Sequence, residues 1–304
     1  MTETAPPLLI PAAARIQPAG HQSPLPADRI VHSGNAGFIQ LRSAQLRYGL
    51  RRDGRAYLTE VARFMNRADL NSASFFYFEE LFGRNDRAHF LISWKSPQDY
   101  ALSVEMVDHD TEMADLLESD RVTDEAGTGD WAKTIVEASM QERVMIPQHG
   151  GPEPEDGEHP HDDTWVEPAW RQCVQPPEVQ LNTATAPYVV HRAVQARHGF
   201  RNEARAFAFA WQNRVNELFA GSVTCYLYEE TFGRMDQLHW LIHLRSLEDW
   251  LRIERLADHD AQYAELFTRQ WIRAGRGGGI WADAFVDGTL HDTLLVPFQI
   301  PAEA

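Results

Sequence analysis

The sequence has few of the features that would narrow its function directly. It contains two cysteines, Cys173 and Cys225, whose positions match no zinc or redox spacing, so both are predicted to be free thiols. It has no run of about 18 apolar residues, which argues against a membrane-spanning helix. The amino-terminal stretch lacks the charged region and the continuous apolar region of a secretory signal. A cytoplasmic protein without a membrane partner is therefore expected.

Positive charge is also scarce. The 28 lysines and arginines are outnumbered by 44 acidic residues, which gives a formal net charge of -16, and only Lys95 and Lys133 are lysines. Proteins that bind the phosphate backbone of nucleic acids need clustered cations that displace counterions. A nucleic-acid partner is therefore not expected. The length of 304 residues is typical of about two domains, each able to bury its own core.

One stretch of the sequence occurs twice. Residues 78–110 and 228–260 align without a gap at an offset of 150, and 14 of the 33 aligned positions are identical. Average composition would give about 2 identities by chance. The chain is therefore predicted to contain an internal duplication.

The duplication divides the chain into four predicted segments. Residues 1–34 are rich in proline and alanine and are predicted to be a flexible arm. The first repeat covers residues 35–147 and the second covers residues 186–298. Residues 148–185 between them begin with an acidic run rich in proline and histidine, which is typical of a linker.

Each repeat has the pattern β-α-β-β-α-β. In the first repeat, alternating apolar residues predict a strand from Phe38, and an apolar stripe at helical spacing predicts a helix over residues 51–68. Two further strands flank the glycine-containing turn 83–86, which is typical of a hairpin. Ser96 and Pro97 supply the N-cap and the first residue of a single long helix, and a closing strand follows. This order is that of a ferredoxin-like unit.

The element order and the junction Trp94-x-Ser96-x-x-Asp99 resemble the dimeric α+β barrel superfamily, although the second copy has Leu244 in place of Trp94. The resemblance implies that two such units pair their sheets within one chain. The expected fold class is α+β, with two tandem ferredoxin-like β-α-β-β-α-β repeats forming an intrachain pseudo-dimeric α+β barrel. The superfamily includes antibiotic-biosynthesis monooxygenases, small polyketide cyclases, NIPSNAP-like proteins and the haem-containing chlorite-dismutase group. It therefore implies a fold more than an activity.

A carboxylate and an imidazole recur together in both hairpins. A four-residue loop would place Glu80 opposite His89, and Glu230 opposite His239, with the side chains on one sheet face. The opposite face is more continuously apolar, so the Glu/His face is predicted to line the barrel interior. A carboxylate beside a histidine is suited to general acid-base catalysis. Alternatively, the pairs only maintain the register of each hairpin.

Residues near these pairs are further candidates for catalysis or substrate binding. His243 stands where the first repeat has Ser93, so it joins Glu230 and His239 as a candidate catalytic group. Arg84 and Arg234 are predicted to belong to the hairpin turns, with a cavity mouth for an acidic substrate as the alternative. The candidates for binding substrate are aromatic residues of the Glu/His face and two arginines of the first strands: Phe76, Phe78, Tyr226, Tyr228, Arg42 and Arg192.

Two groups of histidines and aspartates have the appearance of metal sites. In the Asp-His-Asp trios 108–110 and 258–260, helical spacing places the histidine on an apolar stripe, so a buried, hydrogen-bonded histidine is predicted. His149 and the cluster His159–Asp163 lie among glycines and prolines, which do not give a fixed geometry, so a solvated loop is predicted. No resident metal is expected.

The leading functional hypothesis is an enzyme of specialised metabolism. It would hold an aromatic or polyketide-like molecule in a barrel cavity and catalyse acid-base cyclisation, rearrangement or cofactor-independent oxygenation. One alternative is a non-catalytic, NIPSNAP-like ligand-binding protein, and another is a haem protein with a histidine as axial ligand. A homodimer is also considered. A cavity of about 300 Å³ or more, lined by the Glu/His face, would favour a small-molecule site.

Overall fold

Eight antiparallel strands form a closed barrel in the computed structural model, which describes residues 16–67, 72–122, 127–149 and 165–300. This confirms the α+β class and the barrel. The order around the barrel is β1-β3-β2-β8-β5-β7-β6-β4. The strands are β1 (Phe38–Gln45), β2 (Ala73–Phe82), β3 (Arg87–Trp94), β4 (Gln141–Pro147), β5 (Tyr188–Gln195), β6 (Val223–Phe232), β7 (Gln237–Leu244) and β8 (His291–Pro297).

The last strand of each half joins the two halves of the chain. Strand β4 pairs with β1 of its own half and with β6 of the other half. Strand β8 pairs in the same way with β5 and β2. One sheet interior is therefore shared by residues from both halves, which allows them to contribute to a common site.

Helices cover the outer face of the barrel. Ser96 and Ser246 accept hydrogen bonds from the backbone N–H groups of Asp99 and Asp249, which confirms the predicted N-caps. The helices of the described residues are α1 (Arg51–Arg67), α2 (Pro97–His109), α3 (Thr111–Glu118), α4 (Arg201–Leu218), α5 (Leu247–Glu254) and α6 (Ala261–Thr268). None of these helices is both long enough and apolar enough to cross a membrane.

The long second helix predicted for each repeat is interrupted. Asp110 ends α2, and its carboxylate accepts a hydrogen bond from the backbone N–H of Met113 in the first turn of α3. Asp260 caps α6 in the same way through Tyr263. The prediction that the central histidines of the two trios are buried is wrong, because both are exposed. Each trio marks a helix junction, and its last aspartate is a helix cap.

The assignment of the two sheet faces is confirmed. The apolar face that includes Phe75 and Trp94 is buried under the helices of the first half. The opposite face points into the barrel, where Phe76, Phe78 and Leu91 pack against side chains of the second half. Because side chains alternate along a strand, Glu80 and His89 also belong to the interior face.

The register of each hairpin differs by two residues from the predicted register. Phe78, not Glu80, is directly opposite His89, and Tyr228 is opposite His239 in the second hairpin. Regular pairing ends at Glu79 and Ala88. The connection is longer than expected because the side chain of Glu80 bends into the turn. A shift by two residues keeps every side chain on its predicted face.

Residues 16–36 and 165–186 close one end of the barrel. They were assigned to the flexible arm and the linker, but the described parts contain 3-10 helices and pack against the interior core. Ser33 and Thr183, at equivalent positions, exchange two hydrogen bonds, each from a backbone N–H to the partner's hydroxyl, of 3.1 and 3.0 Å. Residues 1–15 and the acidic run 150–164, with the His159–Asp163 cluster, lie outside the described residues.

Side-chain amides complete the sheet where β2 and β6 extend beyond their neighbours. The amide of Gln22 binds both the N–H and the C=O of Tyr77, at 2.7 and 2.8 Å, and Asn216 does the same for Cys225, at 2.7 and 3.0 Å. Buried backbone groups must be hydrogen-bonded, so Gln22 anchors the amino-terminal segment to the barrel. Cys173 and Cys225 are free thiols, as predicted.

Candidate functional site

A cavity of about 580 Å³ occupies the barrel end that carries the β2–β3 and β6–β7 turns. It lies away from the end that residues 16–36 and 165–186 close. Strands of both halves line it, and Glu80, His89 and His191 are among the lining residues. The cavity exceeds the size of about 300 Å³ that small-molecule sites require. The face that was predicted to carry the chemistry therefore lines a space large enough for a ligand.

The first carboxylate-imidazole pair is formed by Glu80 and His89. Oε1 of Glu80 lies 2.9 Å from Nε2 of His89. Its other oxygen, Oε2, accepts a hydrogen bond of 2.7 Å from the backbone N–H of Arg84 in the turn. The carboxylate is thus held on both sides, and it fixes the position of the imidazole ring at the cavity wall.

The second pair extends to a third group. Oε2 of Glu230 lies 3.3 Å from Nε2 of His239, and Nδ1 of His239 lies 2.9 Å from Nε2 of His191. The two imidazole rings are nearly parallel, with an interplanar angle of 10° and ring centroids 5.1 Å apart. We refer to Glu230, His239 and His191 as the relay. His239 is fully buried, whereas His191 lines the cavity.

One tautomer of the relay suits proton transfer. Oε2 of Glu230 and Nε2 of His239 are at ion-pair distance without forming a hydrogen bond. The contact between the two imidazoles needs one ring nitrogen to donate and the other to accept. With a proton on Nε2 of each ring, Nδ1 of His239 accepts from His191, and Nδ1 of His191 carries a lone pair. In this tautomer the ring that lines the cavity is a neutral base, with a carboxylate behind His239.

The two halves differ at the position that completes the relay. His191 of β5 corresponds to Leu41 of β1, 150 residues earlier. Leucine cannot donate a hydrogen bond, and Nδ1 of His89 is buried without a partner among the described residues. The first half therefore has a pair where the second half has a three-membered relay.

The pKa values of all three relay groups are lowered, although burial and the polar contacts act in opposite directions on His239 and on Glu230. Burial lowers the pKa of His191 well below 6.5, and the nearby His239 and Arg143 lower it further. Burial also lowers the pKa of His239, although its contact with Glu230 opposes this shift. For Glu230, burial raises the pKa, but the contacts with His239 and the N–H of Arg234 outweigh it, so the pKa is lowered. Near neutral pH the relay thus contains neutral imidazoles and an ionised carboxylate.

A glycine in each turn makes room for the carboxylate. Gly83 and Gly233 have φ angles of 138° and 141°, which side chains rarely adopt. A Cβ added at Gly233 would overlap the carboxylate of Glu230. The turn motif Gly-Arg therefore serves two purposes, because it forms the turn and supplies the N–H that holds the glutamate.

We expect the substitution Gly233→Ala to displace Glu230 and to lower the free energy of unfolding by about 1–3 kcal/mol through backbone strain. Urea unfolding would measure the loss, and the imidazole NMR signals of His239 and His191 should shift. Gly199→Ala is the matched control, since a Cβ there meets nothing within 4 Å. Equal behaviour of the two variants would contradict the role assigned to Gly233.

His243 lies in the barrel interior but at the closed end. It is four residues beyond His239 on β7, about 13 Å along the strand. Its Nε2 is 2.9 Å from Oγ of Ser33, and its Nδ1 is 3.0 Å from the carbonyl oxygen of Thr224. The side chain is fully buried and is not among the residues that line the cavity. The structure therefore does not bring His243 together with Glu230 and His239.

The four aromatic candidates fill the middle of the barrel. Phe76, Phe78, Tyr226 and Tyr228 are each at most 1% exposed and belong to the interior core. The hydroxyl of Tyr228 donates to the carbonyl oxygen of Ser33. These residues form the floor between the cavity and the closed end, and the cavity lining does not include them.

The two arginine candidates lie on the outer face of the barrel. Arg42 forms an ion pair with Glu142, and Arg192 binds Asp292 at 2.7 and 2.8 Å. Arg192 also stacks over Trp211. Their parity along the strands explains this position, because Leu41 and His191 occupy the inward positions next to them.

The cavity residues that sequence reasoning missed include His191, Arg87 and Arg143. A signal for two of them was present. His191 replaces Leu41 and Arg143 aligns with Thr293, so each is a polar residue on the interior face at which the repeats differ. Neither residue is identical in the two halves, so the repeat itself does not point to them.

The comparisons with known proteins agree with this architecture. The sequence matches the family of unknown function DUF6039 over residues 11–303. The chain belongs to this family. A comparison with curated proteins finds no match.

Among solved structures, a candidate monooxygenase from Lactobacillus acidophilus superposes with a TM-score of 0.51 at 7% identity, over 86% of this chain and 93% of that one. A chlorite dismutase from Candidatus Nitrospira defluvii, in complex with imidazole, gives a TM-score of 0.44 at 12% identity, over 86% and 92%. Together with the closed barrel, the first of these superpositions shows that this DUF6039 chain has an α+β barrel fold. At such identities the likeness concerns the fold alone.

Two cavities on the helix side of this DUF6039 barrel offer, among the described residues that line them, no histidine that could hold a haem. They lie between the sheet and the helices and have volumes of about 260 and 320 Å³. In the barrel cavity, Nε2 of His89 already contacts Glu80, and Nε2 of His191 contacts His239. Within the described ranges, no three His, Cys, Asp or Glu side chains are arranged to hold a metal ion.

Proposed function

We propose that the chain is an enzyme that binds a small aromatic or polyketide-like molecule in the barrel cavity and catalyses proton transfer on it. We also infer that two tandem ferredoxin-like repeats, fused into one chain, form the barrel as a pseudo-dimer. The relay that ends at the cavity wall supports the proposal most directly. A neutral histidine oriented by a second histidine and a carboxylate is the arrangement that a general base requires.

The proposed reaction begins when Nδ1 of His191 removes a proton from an O–H group, or from a C–H group next to a carbonyl. The charge that develops on His191 is stabilised through His239 by the carboxylate of Glu230. The resulting enolate, or the oxyanion where an O–H group lost its proton, attacks a carbonyl carbon of the same molecule, and the proton on His191 returns to the new alkoxide. Substrate and product are then isomers. In the oxygenation variant the first step is the same, and dioxygen is the oxidant. The carbanion carbon forms a bond to dioxygen, the peroxide takes the proton from His191, and loss of water with the second hydrogen of that carbon gives a carbonyl group.

A non-catalytic ligand-binding protein is the second candidate. The contacts of Glu80 and Glu230 favour it, because each carboxylate stabilises its hairpin turn by accepting a hydrogen bond from a backbone N–H. A role restricted to the turns does not account for His191, however. The first half forms the same turn with Leu41 at the equivalent position.

The proposal is tested by native mass spectrometry of the purified chain, which identifies a co-purifying ligand, followed by turnover assays with it. We expect the double variant His89→Gln/His239→Gln to retain binding within a few-fold and to lose turnover by about 10²-fold or more. The double variant His109→Gln/His259→Gln is the control, because both histidines are exposed. Unchanged turnover without His89 and His239 would refute catalysis by these groups. A ligand that wild type binds but never converts would favour the second candidate.

A further inference from the structure

We infer that the cavity takes a small molecule with a carboxylate group, and that Arg143, together with Arg87, binds this group. The inference deepens the proposed function and rests on it, since it takes the same cavity as the ligand site. It concerns the chemical class of the substrate, whereas the relay concerns the reaction.

The cavity has an excess of positive charge. Four arginines line it, namely Arg84, Arg87, Arg143 and Arg234, against two acidic residues, Glu80 and Asp292. Asp292 is already bound by Arg192 on the outer face. Both oxygens of Glu80 are engaged by His89 and by the N–H of Arg84. In a chain with a net charge of -16, such a local excess of cations is not a result of composition.

Arg87 is buried, and its charge is only partly compensated. It is 9% exposed, donates to Oγ of Ser43 at 2.8 Å and to Oε1 of Gln141 at 3.5 Å, and forms an ion pair of 3.8 Å with Oε1 of Glu80, which also contacts His89. Burial and the neighbouring Arg84 lower its pKa, Glu80 opposes this, and Arg143 lowers it further. A buried guanidinium is costly unless it is paired. An anion in the cavity would remove much of this cost.

Arg143 is the cation that is best placed to meet a ligand. Its side chain is partly buried, and no hydrogen bond or ion pair joins it to the described residues. Its guanidinium therefore keeps its planar fork of donors, which matches the two oxygens of a carboxylate. The equivalent residue of β8 is Thr293, so the cation is specific to one half.

The position of Arg143 links binding to the relay. Its charge contributes to lowering the pKa values of His191 and Glu230, which requires proximity to both. A carboxylate on Arg143 would place the remainder of the ligand beside His191, while Leu41 and Phe82 provide apolar contacts. A monoanion fits better than a phosphate dianion, because Glu80 lies near Arg87 and would repel the second charge.

The test compares two probes that differ only in charge, 1-naphthoate and the neutral 1-naphthamide, by isothermal titration calorimetry. The variant is Arg143→Thr, which introduces the residue that the second half carries at this position. We expect naphthoate to bind wild type and to bind the variant about 10- to 100-fold more weakly, as for the loss of a charge-assisted hydrogen bond. The Kd of naphthamide should be the same for both proteins within about twofold.

A second readout is the thermal unfolding midpoint, which does not depend on turnover. Naphthoate should raise the midpoint of wild type and leave that of Arg143→Thr nearly unchanged. Arg42→Thr is the control for loss of an arginine, since Arg42 lies on the outer face and pairs with Glu142. It should respond to naphthoate as wild type does.

Three results would overturn the inference: no binding of naphthoate to wild type, equal binding to wild type and Arg143→Thr, or stabilisation by inorganic phosphate but not by naphthoate. A failure of carboxylate binding would not affect the role proposed for the relay. The variant His89→Gln/His239→Gln should still bind naphthoate, so loss of turnover in that variant and loss of carboxylate binding in Arg143→Thr report on separate claims.

Discussion

Replacement of His191 by leucine should lower kcat by about 10²- to 10⁴-fold, the contribution expected of a positioned general base. Glu230 and His239 would remain in place, but without His191 the relay would no longer reach the cavity. The fold should tolerate the change, because leucine occupies the equivalent inward position 41 and packs in the interior core. Steady-state kinetics with the ligand identified by native mass spectrometry would measure the loss, and the unfolding midpoint would check the fold.

The pH dependence of kcat/KM provides a more specific readout. His191 must be neutral to act as a base, and burial lowers its pKa well below 6.5. Wild type should therefore keep its plateau as the pH falls through 6.5 and lose activity only at lower pH, whereas His191→Leu should lack this acid limb. His259→Leu changes an exposed histidine and should retain kcat within about twofold. A wild-type acid limb that persists in His191→Leu would exclude His191 as the base.

Because both halves of the barrel lie in one chain, this site can differ between its two sides, which a symmetric dimer cannot do. In a dimer of identical subunits, a residue introduced on one side of a shared barrel appears on both sides. Here His191 faces an interior in which its counterpart is Leu41, and Arg143 is matched by Thr293. Under the proposed function, these differences place the base and the cation once each and give a ligand one preferred orientation.

Much of the fold could be predicted because local and long-range signals agree. The alternation in Phe38–Gln45, the cap at Ser96 and the turn at Gly83 each specify an element. Repetition at an offset of 150 doubles every signal. The helix break at Asp110 was missed because a capping aspartate inside an amphipathic stretch does not change the spacing of the apolar residues. The cap is recognised only from the geometry of the junction.

The site was predictable only in part. The pairs Glu80/His89 and Glu230/His239 follow from strand parity, which survives an error of two residues in the register. Depth along the barrel does not follow from parity, so His243 and the aromatic residues were placed on the correct face but not at the cavity. The roles of His191 and Arg143 depend on which strands close the barrel, and that pairing between the halves is not encoded locally.

Acid should destabilise the closed end of the barrel, mainly through His243. Burial lowers the pKa of His243 from 6.5 to about 3, although the carbonyl of Thr224 opposes this. Below pH 6.5 the imidazole of His243 therefore binds a proton in the unfolded chain but not in the folded chain. The free energy of unfolding falls as the pH decreases from 6.5 toward 3. At about 1.4 kcal/mol per pH unit, the loss between pH 6.5 and 4 is about 3 kcal/mol. His32, which keeps part of its surface exposed, adds a smaller loss because burial lowers its pKa to about 4.

The contribution of His243 is isolated with the variant His243→Gln, which does not titrate but keeps a donor for Thr224 and an acceptor for Ser33. Urea unfolding at several pH values between 7 and 4 gives the slope of the free energy of unfolding with pH. We expect the slope of the variant to be smaller by about one proton, or about 1.4 kcal/mol per pH unit. His198→Gln, which changes an exposed histidine bound to Asp236, should not reduce the slope in this way. An unchanged slope in His243→Gln would show that His243 is protonated in the folded barrel. The hydrogen bonds of a neutral His243 with Ser33, and of Ser33 with Thr183 and Tyr228, would then not be what holds the closed end of the barrel.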